Sequence, residues 1–254
     1  MDRLRIATLN IRALMDRWDE RLPLLLADMA ALQPDLLGLQ EVVFPMQQDR
    51  LIGAAGSRHY RAVRGWASRP EYGNAILVEE SLAGAAGSAL DEDRVDLGLG
   101  REAHRVVVRL SGGSSLTFAV THLHHPPAAA AERARQVGTL LEWVLAGRST
   151  DALVVVGDFN ASPAEPAYVR MANAAFASAS LAANGVEPEV TWPSGLDAPA
   201  KDTDGDPSCL DYIWVRGSAR VLDCRLAWDR PAVGDPTLYP SDHLGLLATI
   251  EVGS

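Results

Sequence analysis

The sequence predicts an α/β protein in which two packed mixed β-sheets are covered by helices. Continuous apolar runs, such as residues 36–39 and 153–156, are typical of strands that are buried on both faces. A few helical segments and several hairpins are interleaved with these strands, which favours mixed sheets with helices on their outer faces. The sequence offers about ten strands, and because one open sheet of that size would twist strongly, two packed sheets are expected.

The individual elements are predicted from periodicity and from turn residues. Helices are predicted over residues 18–32, where apolar residues recur at helical spacing, over residues 127–146, where a proline begins an alanine-rich segment, and over residues 163–175. Strands are predicted where apolar or β-branched runs are bounded by turn residues. They span residues 4–10, 35–41, 60–63, 74–78, 105–110, 115–122, 152–158, 210–215, 221–228 and 244–252. Hairpins are expected around Gly112-Gly113 and around Gly217-Ser218.

Composition and charge limit the classes of function. The 254 residues are 48% hydrophobic and show no long polar break, so one domain spanning residues 1–254 is expected. The formal net charge is −10, with 33 acidic against 23 basic residues. Because non-specific affinity for long polyanions depends on neutralising phosphates, this charge disfavours a processive DNA-binding protein but leaves a nuclease open.

The location of the protein is predicted from segments that the sequence lacks, and the state of its thiols is predicted from its two cysteines. No apolar stretch approaches the roughly 20 residues of a membrane-spanning helix. The amino terminus lacks the apolar core of a secretory signal, which favours the cytoplasm. The two cysteines, Cys209 and Cys224, flank the second predicted hairpin and could lie near each other across it. We interpret them as buried apolar thiols, because a single pair does not make a disulfide scaffold in a chain of this length.

Polar side chains that suit chemistry follow the predicted strands at their ends. Asn10, Glu41, His122, Asp158 with Asn160, and Asp242-His243 occupy such positions. If the strands lie side by side, these ends converge on a carboxylate-rich cleft with two or more histidines. Mg²⁺ prefers oxygen ligands and is often held by one or two carboxylates together with a substrate phosphate. The pattern therefore predicts hydrolysis of a phosphate ester, with Glu41 and Asp242 as metal carboxylates and Asn10 as a neutral amide oxygen.

Other hydrolytic and nucleotide-binding sites lack their sequence patterns here. The cysteines do not have the spacing of a zinc site and are far from the histidine segments in the sequence. The Gly-x-Ser-x-Gly elbow of serine hydrolases and the phosphate-cradling Gly-x-x-x-x-Gly-Lys loop are both absent from the sequence.

Six strings together resemble the motif set of the endonuclease/exonuclease/phosphatase superfamily, the DNase I-like fold. They are LNIR at 9–12, LQEV at 39–42, THL at 121–123, GDFN at 157–160, LDYI at 210–213 and SDH at 241–243. They occur in the order of the superfamily and span nearly the whole chain. The resemblance implies a four-layer α/β/β/α sandwich, with two mixed sheets inside, helices outside and the cleft at one end.

The resemblance also implies a role for each matched residue. Glu41 would bind Mg²⁺ or Mn²⁺, with Asn10 and Asp242 beside it. Asp158 would orient or deprotonate the attacking water, and Asn160 would hold a phosphate oxygen or position Asp158. His243 would donate a hydrogen bond to a non-bridging oxygen in the transition state, and His122 would do the same or assist proton transfer. Asp211 would orient an imidazole or aid the departure of the leaving group.

The candidate substrate contacts are arginines and rim aromatics. Arg12 alternates with Asn10 at the end of the first strand, and Arg101 and Arg105 lie where several superfamily members place a phosphate-contacting arginine. Trp66 and Trp192 lie in predicted rim loops, where they could stack on a base or sugar, but packing in the core or the loop is the preferred interpretation. His124 and His125 could shape the cleft rim, with two exposed loop histidines as the simpler interpretation. Two departures from the motifs concern substrate. Val43 stands where the DNA-cutting branch often has arginine, and Cys209 replaces the arginine of the late motif.

Three hypotheses of function remain open. The first is a metal-dependent phosphoesterase of the nuclease or nucleotide phosphodiesterase type. The second is a phosphatase or phosphodiesterase that acts on a lipid headgroup, an inositol or another small phosphate ester. The third is a non-catalytic binding module on the same fold. Superfamily members that have lost activity normally lack the metal glutamate or the Asp-x-Asn pair, and this sequence retains both. A phosphate-ester substrate is the expected partner in the first two cases, and no obligate protein partner is inferred.

Overall fold

The computed structural model describes residues 1–64, 71–84, 90–147, 149–198 and 205–253. Twelve strands and five α-helices are found in these ranges. In chain order they are β1 (Asp2–Asn10), α1 (Trp18–Leu32), β2 (Leu36–Val43), α2 (Met46–Gly53), β3 (Tyr60–Arg64), β4 (Tyr72–Glu79), β5 (Asp91–Gly98), β6 (Arg101–Arg109), β7 (Ser115–His122), α3 (Ala130–Ala146), β8 (Ala152–Asp158), α4 (Pro166–Asn173), β9 (Ala177–Ser178), α5 (Ala179–Asn184), β10 (Asp211–Gly217), β11 (Ala219–Ala227) and β12 (Gly245–Val252).

The strands form two six-stranded mixed sheets. The first has the order β11-β12-β1-β2-β4-β3, and the second has the order β5-β6-β7-β8-β10-β9. One neighbouring pair in each sheet is parallel, β1 with β2 and β7 with β8, and the other pairs are antiparallel. One apolar cluster fills the space between the sheets, a second packs α1 and α2 on the first sheet, and a third packs α3 and α4 on the second sheet. The predicted four-layer α/β/β/α sandwich is confirmed.

Alternation along the strands explains the continuous apolar runs. In β8, Val154 and Val156 face the layer between the sheets, whereas Val155 belongs to the cluster beneath α3 and α4. In β1, Leu4 and Ile6 face the layer between the sheets and Ala7 faces α1. Both faces of these central strands are covered, so both must be apolar.

The same alternation directs the polar strand ends inward. Asn10 shares the face of Leu4 and Ile6, Asp158 shares that of Val154 and Val156, and His122 shares that of Phe118 and Val120. Each of these side chains therefore emerges at one end of the space between the sheets. Asn10 and Asp158 meet there across the two sheets, where Asn10 Nδ2 donates to Asp158 Oδ2 at 3.1 Å.

The hairpin predicted around Gly217-Ser218 is wrong. β10 pairs with β8 and β9 in the second sheet, whereas β11 pairs with β12 in the first sheet. The single residue Ser218 carries the chain from one sheet to the other, and its N–H donates to the Asp151 carbonyl at 2.7 Å. Turn residues between two apolar runs indicate a reversal of direction, but they do not specify whether the second run pairs with the first.

Other differences concern elements without an apolar signature. β5 is a mostly exposed edge strand with the sequence DEDRVDLG, and α2 is a short helix in a polar segment, so neither was predicted. Cys209 and Cys224 are buried free thiols, as predicted, but they lie in different apolar clusters rather than near each other. Within the described ranges, no helix has the length and the apolar character needed to cross a lipid bilayer.

Candidate active site

A cleft of about 810 Å³ opens at the end of the sandwich where the polar strand ends converge. Its lining includes most of the residues predicted from the sequence: Arg12, Glu41, Arg101, His122, Asp158, Asn160, Asp242 and His243. Asn10 and Asp211 lie directly behind this lining, bonded to Asp158 and to His243. Glu41 and Asp242, which come from opposite ends of the sequence, thus share one mouth of the molecule.

A β-bulge brings Glu41 to this cleft. Simple alternation would place Glu41 on the face of Leu37 and Leu39, toward the helices. The pairing of β2 with β4 instead shifts register between Leu39 and Val42, and Glu41 adopts a left-handed backbone with φ 58°. Bulges of this kind redirect side chains and occur next to active sites. Here the bulge turns the carboxylate into the cleft.

The Gly-Asp-Phe-Asn motif depends on its glycine. Gly157 has φ 143°, and a Cβ at this position would lie 2.0 Å from the Thr121 carbonyl oxygen. Only glycine allows β7 and β8 to approach this closely, which places His122 opposite Asp158 in the parallel pairing. Asp211 pairs with Asp158 from the other side, through β10. Three functional side chains thus stand in one row across three neighbouring strands.

Asn160 is arranged to hold the Asp158 loop. Its backbone has φ 47°, and its N–H donates to Asp158 Oδ1 at 2.8 Å. Its side-chain Nδ2 donates to the Leu123 carbonyl at 3.1 Å. Of the two roles expected for Asn160, these contacts favour positioning Asp158.

A chain of hydrogen bonds and close polar contacts runs through the buried histidines. Thr191 Oγ1 donates to Asp211 Oδ2 at 2.7 Å, and the same oxygen lies 2.9 Å from His243 Nδ1. On the far side of the ring, His243 Nε2 lies 3.6 Å from Asp158 Oδ2, and His122 Nε2 approaches that oxygen at 3.4 Å. Because a carboxylate only accepts, the neighbouring Asp211 assigns the Nδ1 proton to His243.

The two histidines are driven toward different charge states. Burial lowers the pKa of His243, but the surrounding carboxylates, Asp211 and Asp158, outweigh it and raise the pKa well above its ordinary value. Burial and the positive charge of Arg101 lower the pKa of His122. Burial raises the pKa of Asp158, which is the direction expected of a base that must accept a proton near neutral pH. The site thus combines a charged imidazole donor, a neutral imidazole and a basic carboxylate.

A second pair of carboxylates, the half-buried Glu41 and the buried Asp242, lies on the side of the first sheet. Burial and then the charge of Asp242 raise the pKa of Glu41, so two like charges are held close together. Such a pair of oxygen donors is the kind of set that Mg²⁺ or Mn²⁺ prefers. Asp242 Oδ2 also receives the Trp192 indole N–H and an Arg12 nitrogen, each at 3.3 Å.

Asn10 differs from its expected orientation. Its amide nitrogen donates to Glu41 Oε1 at 3.2 Å and to Asp158 Oδ2 at 3.1 Å, whereas its Oδ1 accepts from the Arg12 N–H at 3.0 Å. The amide therefore presents its nitrogen to the carboxylates, where the sequence had suggested that it would supply an oxygen to the metal.

Ligand atoms of Asp158, Asp211 and His243 also lie within 4.8 Å of one another, which is compact enough for an ion. In this group the short His243–Asp211 contact already satisfies the imidazole Nδ1. We therefore interpret these three residues as the proton-handling part of the site and Glu41 with Asp242 as the better cation donors.

The predicted arginines have different positions. Arg101 lines the cleft, and its Nη2 lies 3.2 Å from His125 Nδ1. Arg105 does not reach the cleft, because its guanidinium bonds Asp93 at 2.7 Å and stacks on the Trp143 ring at 4.4 Å. The expectation that Arg105 contacts substrate is therefore corrected, because Asp93 on the edge strand β5 holds its guanidinium outside the cleft. Trp66 lies outside the described residues.

Thr191 and Tyr72 were not singled out from the sequence, and Trp192 makes a contact that was not expected. Thr191 and Trp192 are consecutive, and each donates to a different functional carboxylate, Asp211 and Asp242. Tyr72, on β4, lines the cleft, and burial followed by the charge of Glu41 raises its pKa. Trp192 was considered only as a stacking surface, and a predicted loop gives no signal for a buried hydroxyl such as that of Thr191.

A comparison with protein families decides the relationship. Residues 7–243 match the Endonuclease/Exonuclease/phosphatase family. The chain belongs to this family. Members of the endonuclease/exonuclease/phosphatase family are hydrolases that act on phosphate esters and are generally dependent on divalent metals, which agrees with the carboxylates that Glu41 and Asp242 bring to the cleft.

Among family relatives, the chain is similar to nocturnin. It is 28% identical to Xenopus laevis nocturnin over 267 residues and 28% identical to Homo sapiens nocturnin over 262 residues. Each alignment covers 91% of this chain, which spans 64% of the Xenopus protein and 58% of the human one.

Solved structures of the family share the fold. An endonuclease/exonuclease/phosphatase from Bacteroides vulgatus superposes with a TM-score of 0.78 at 21% identity and full coverage of both chains. D. rerio TDP2 complexed with a single-strand DNA product gives a TM-score of 0.79 at 19% identity, with 99% of this chain and 100% of that one covered. The human nocturnin catalytic domain with a bound sulfate anion gives 0.74 at 24% identity, with coverages of 99% and 95%.

Proposed function

We propose that this protein is a divalent-metal-dependent phosphodiesterase that acts on nucleotides or on short single-stranded nucleic acid. The observation that carries the proposal is the meeting of Glu41 and Asp242 with the Asp211–His243–Asp158 chain in one cleft. That cleft supplies carboxylates for a cation, a base for water and a charged donor for a phosphoryl oxygen. A non-catalytic module would have no need to keep all three.

Each residue of the Asp211–His243–Asp158 series and its neighbours has a defined task in this proposal. Asp158, held by Asn160 and Asn10, orients the water and accepts its proton as the water oxygen bonds to phosphorus. The P–O bond to the leaving group breaks, and that oxygen leaves as an alkoxide or takes up a proton from solvent. His243, oriented and kept protonated by Asp211, donates a hydrogen bond to a non-bridging oxygen, where negative charge develops. His122, on the other side of Asp158, donates a hydrogen bond to the phosphoryl group or assists proton transfer.

Glu41 and Asp242 would hold Mg²⁺ or Mn²⁺, with Asn10 beside them. When bound, the cation supplies positive charge that stabilises the developing charge on the phosphoryl group. The raised pKa of Glu41 supports this assignment, because two carboxylates that are held close together and partly withdrawn from water are stabilised by a cation.

The cleft favours a short substrate over a long duplex. Acidic side chains outnumber arginines among the described lining residues, and two of those arginines are already ion-paired, Arg12 with Asp242 and Arg133 with Glu165. Val43 stands where a DNA-grasping arginine is expected in the DNA-cutting branch. The structural likeness to TDP2, which was solved with a single-strand DNA product, supports the nucleotide class. The same charge pattern keeps a small lipid-headgroup or inositol ester as the second candidate.

The proposal is tested with bis-p-nitrophenyl phosphate and p-nitrophenyl phosphate after removal of metal with EDTA and readdition of Mg²⁺ or Mn²⁺. We expect metal-dependent release of p-nitrophenolate, faster from the diester. Glu41→Gln and Asp158→Asn should each lower kcat/KM by at least about 10²-fold, because they remove a metal carboxylate and the base.

Glu142→Gln, on the exposed face of α3, is the matched control and should keep wild-type turnover. Wild-type rates in either cleft variant would refute the assignment. Turnover of small headgroup esters without turnover of nucleotides would favour the second candidate.

A further inference from the structure

The turn between β5 and β6 places an exposed leucine in the catalytic cleft. Gly98 and Arg101 are paired, so Leu99 and Gly100 are the two central residues of the turn. Both have left-handed backbones, with φ 54° and 69°. Two-residue hairpins of this kind strongly prefer Asn, Asp or Gly at the first central position. Leucine is therefore an unfavourable residue for the backbone conformation at position 99. The Leu99 side chain lines the cleft and is 63% exposed.

The turn is held rigidly against the rest of the site. Gln136 Nε2 donates to the Gly98 carbonyl at 3.2 Å, and an Arg135 nitrogen donates to the Leu97 carbonyl at 2.8 Å. The buried Gln136 also accepts from the His124 N–H at 2.9 Å, which ties the turn to the loop that follows His122. An apolar side chain in an unfavourable conformation is thus presented by an anchored backbone. Backbone outliers of this kind concentrate at functional sites.

The surroundings of Leu99 indicate which part of a substrate would contact it. Arg101 follows two residues later in the same cleft and carries the positive charge suited to a phosphate oxygen. The lining also includes apolar side chains such as Met15 and Trp192, so an apolar side chain close in sequence to such an arginine suits a substrate with an apolar group next to its phosphate.

We propose that Leu99 forms an apolar subsite for the non-reacting substituent of the phosphodiester, namely the face of a nucleobase or a short alkyl chain beside the phosphate. This inference rests on the phosphodiesterase function proposed above and names the chemistry that would distinguish its substrates. Leu99 acts on specificity and takes no part in the chemical step.

The test uses three esters with the same leaving group. These are p-nitrophenyl thymidine 5′-phosphate, hexyl p-nitrophenyl phosphate and methyl p-nitrophenyl phosphate, assayed with Mg²⁺ or Mn²⁺. Leu99→Asn is the informative variant, because asparagine suits the left-handed turn and only the apolar contact is lost. Leu145→Asn, at an exposed position on α3 outside the cleft, is the matched control.

We expect Leu99→Asn to lower kcat/KM roughly 5- to 10-fold on the thymidine or the hexyl ester, mainly through KM, and to change it less than about twofold on the methyl ester. The ester that suffers the loss identifies the source of the apolar group. An equal change on all three esters, or no change on any, would overturn the subsite. Failure of the wild-type protein to hydrolyse any of them would instead overturn the proposed function.

Discussion

At the residue scale, the site is built from backbone conformations that side chains rarely adopt. Arg12, Glu41 and Asn160 all have positive φ, and Gly157 lies in a region that only glycine tolerates well. Such conformations cost free energy and persist only where the surrounding structure enforces them. Here they turn Glu41, Arg12 and Asn160, which supports Asp158, toward one cleft.

Gly157 offers a direct test of this constraint. Gly157→Ala should lower the free energy of unfolding by at least about 3 kcal/mol, because the new Cβ meets the Thr121 carbonyl and the left-handed backbone is strained as well. Chemical denaturation measures the loss. Gly113→Ala is the control, since Gly113 has φ 91° with no atom within 4 Å of the added Cβ. Equal losses in the two variants would show that the clash contributes nothing.

At the scale of elements, the cleft depends on loops that helix α1 holds in place. Arg21 is fully buried in α1, and its guanidinium donates to the carbonyls of Asp16, Met15 and Pro240 at 2.7 Å each and to that of Ile11 at 3.1 Å. These carbonyls belong to the loop that carries Arg12 and to the loop that precedes Asp242. One side chain thereby fixes two walls of the site.

Arg21→Met should therefore impair both folding and activity. Leaving several buried carbonyls without donors is expected to lower the free energy of unfolding by about 3–5 kcal/mol, and the released loops should lower kcat/KM. Denaturation and the diesterase assay measure the two effects. Arg3→Met, which breaks an exposed ion pair with Glu251, should change neither measurably. Retained stability in Arg21→Met would contradict the role of this contact.

Elements also differ in how far the sequence specifies them. The helix over residues 18–32 and the strand over residues 152–158 were predicted with their observed bounds, because each has a strong apolar periodicity and a clear stop. β5 was not predicted, since an exposed edge strand needs no apolar face and its charged sequence resembles a loop. The pairing of β10 and β11 was wrong because strand partners are chosen by distant parts of the chain.

At the scale of the whole molecule, three apolar layers separate groups that are close in the sequence. Cys209 lies in the cluster beneath α3 and α4, and Cys224 lies between the sheets. Burial raises the pKa of both thiols, that of Cys224 to about 11, so both remain protonated near pH 8.

We expect neither thiol of the folded protein to react with Ellman's reagent at pH 8 over minutes, and both to react once the protein is unfolded in guanidinium chloride. The absorbance of the released thiolate measures the number of reactive groups. Rapid reaction of one thiol in the folded protein would contradict the burial described for it.

The sequence by itself determined which residues end the central strands and, through alternation, that Asn10 shares a face with Ile6, His122 with Val120 and Asp158 with Val156. These features are local, because side chains on a strand alternate whatever its partners are. Only the tertiary structure decided that a bulge turns Glu41 into the cleft, that Asp93 holds Arg105 away from it and that Thr191 and Trp192 donate to Asp211 and Asp242. Each of these outcomes depends on a partner that the fold, and not the neighbouring sequence, brings into contact.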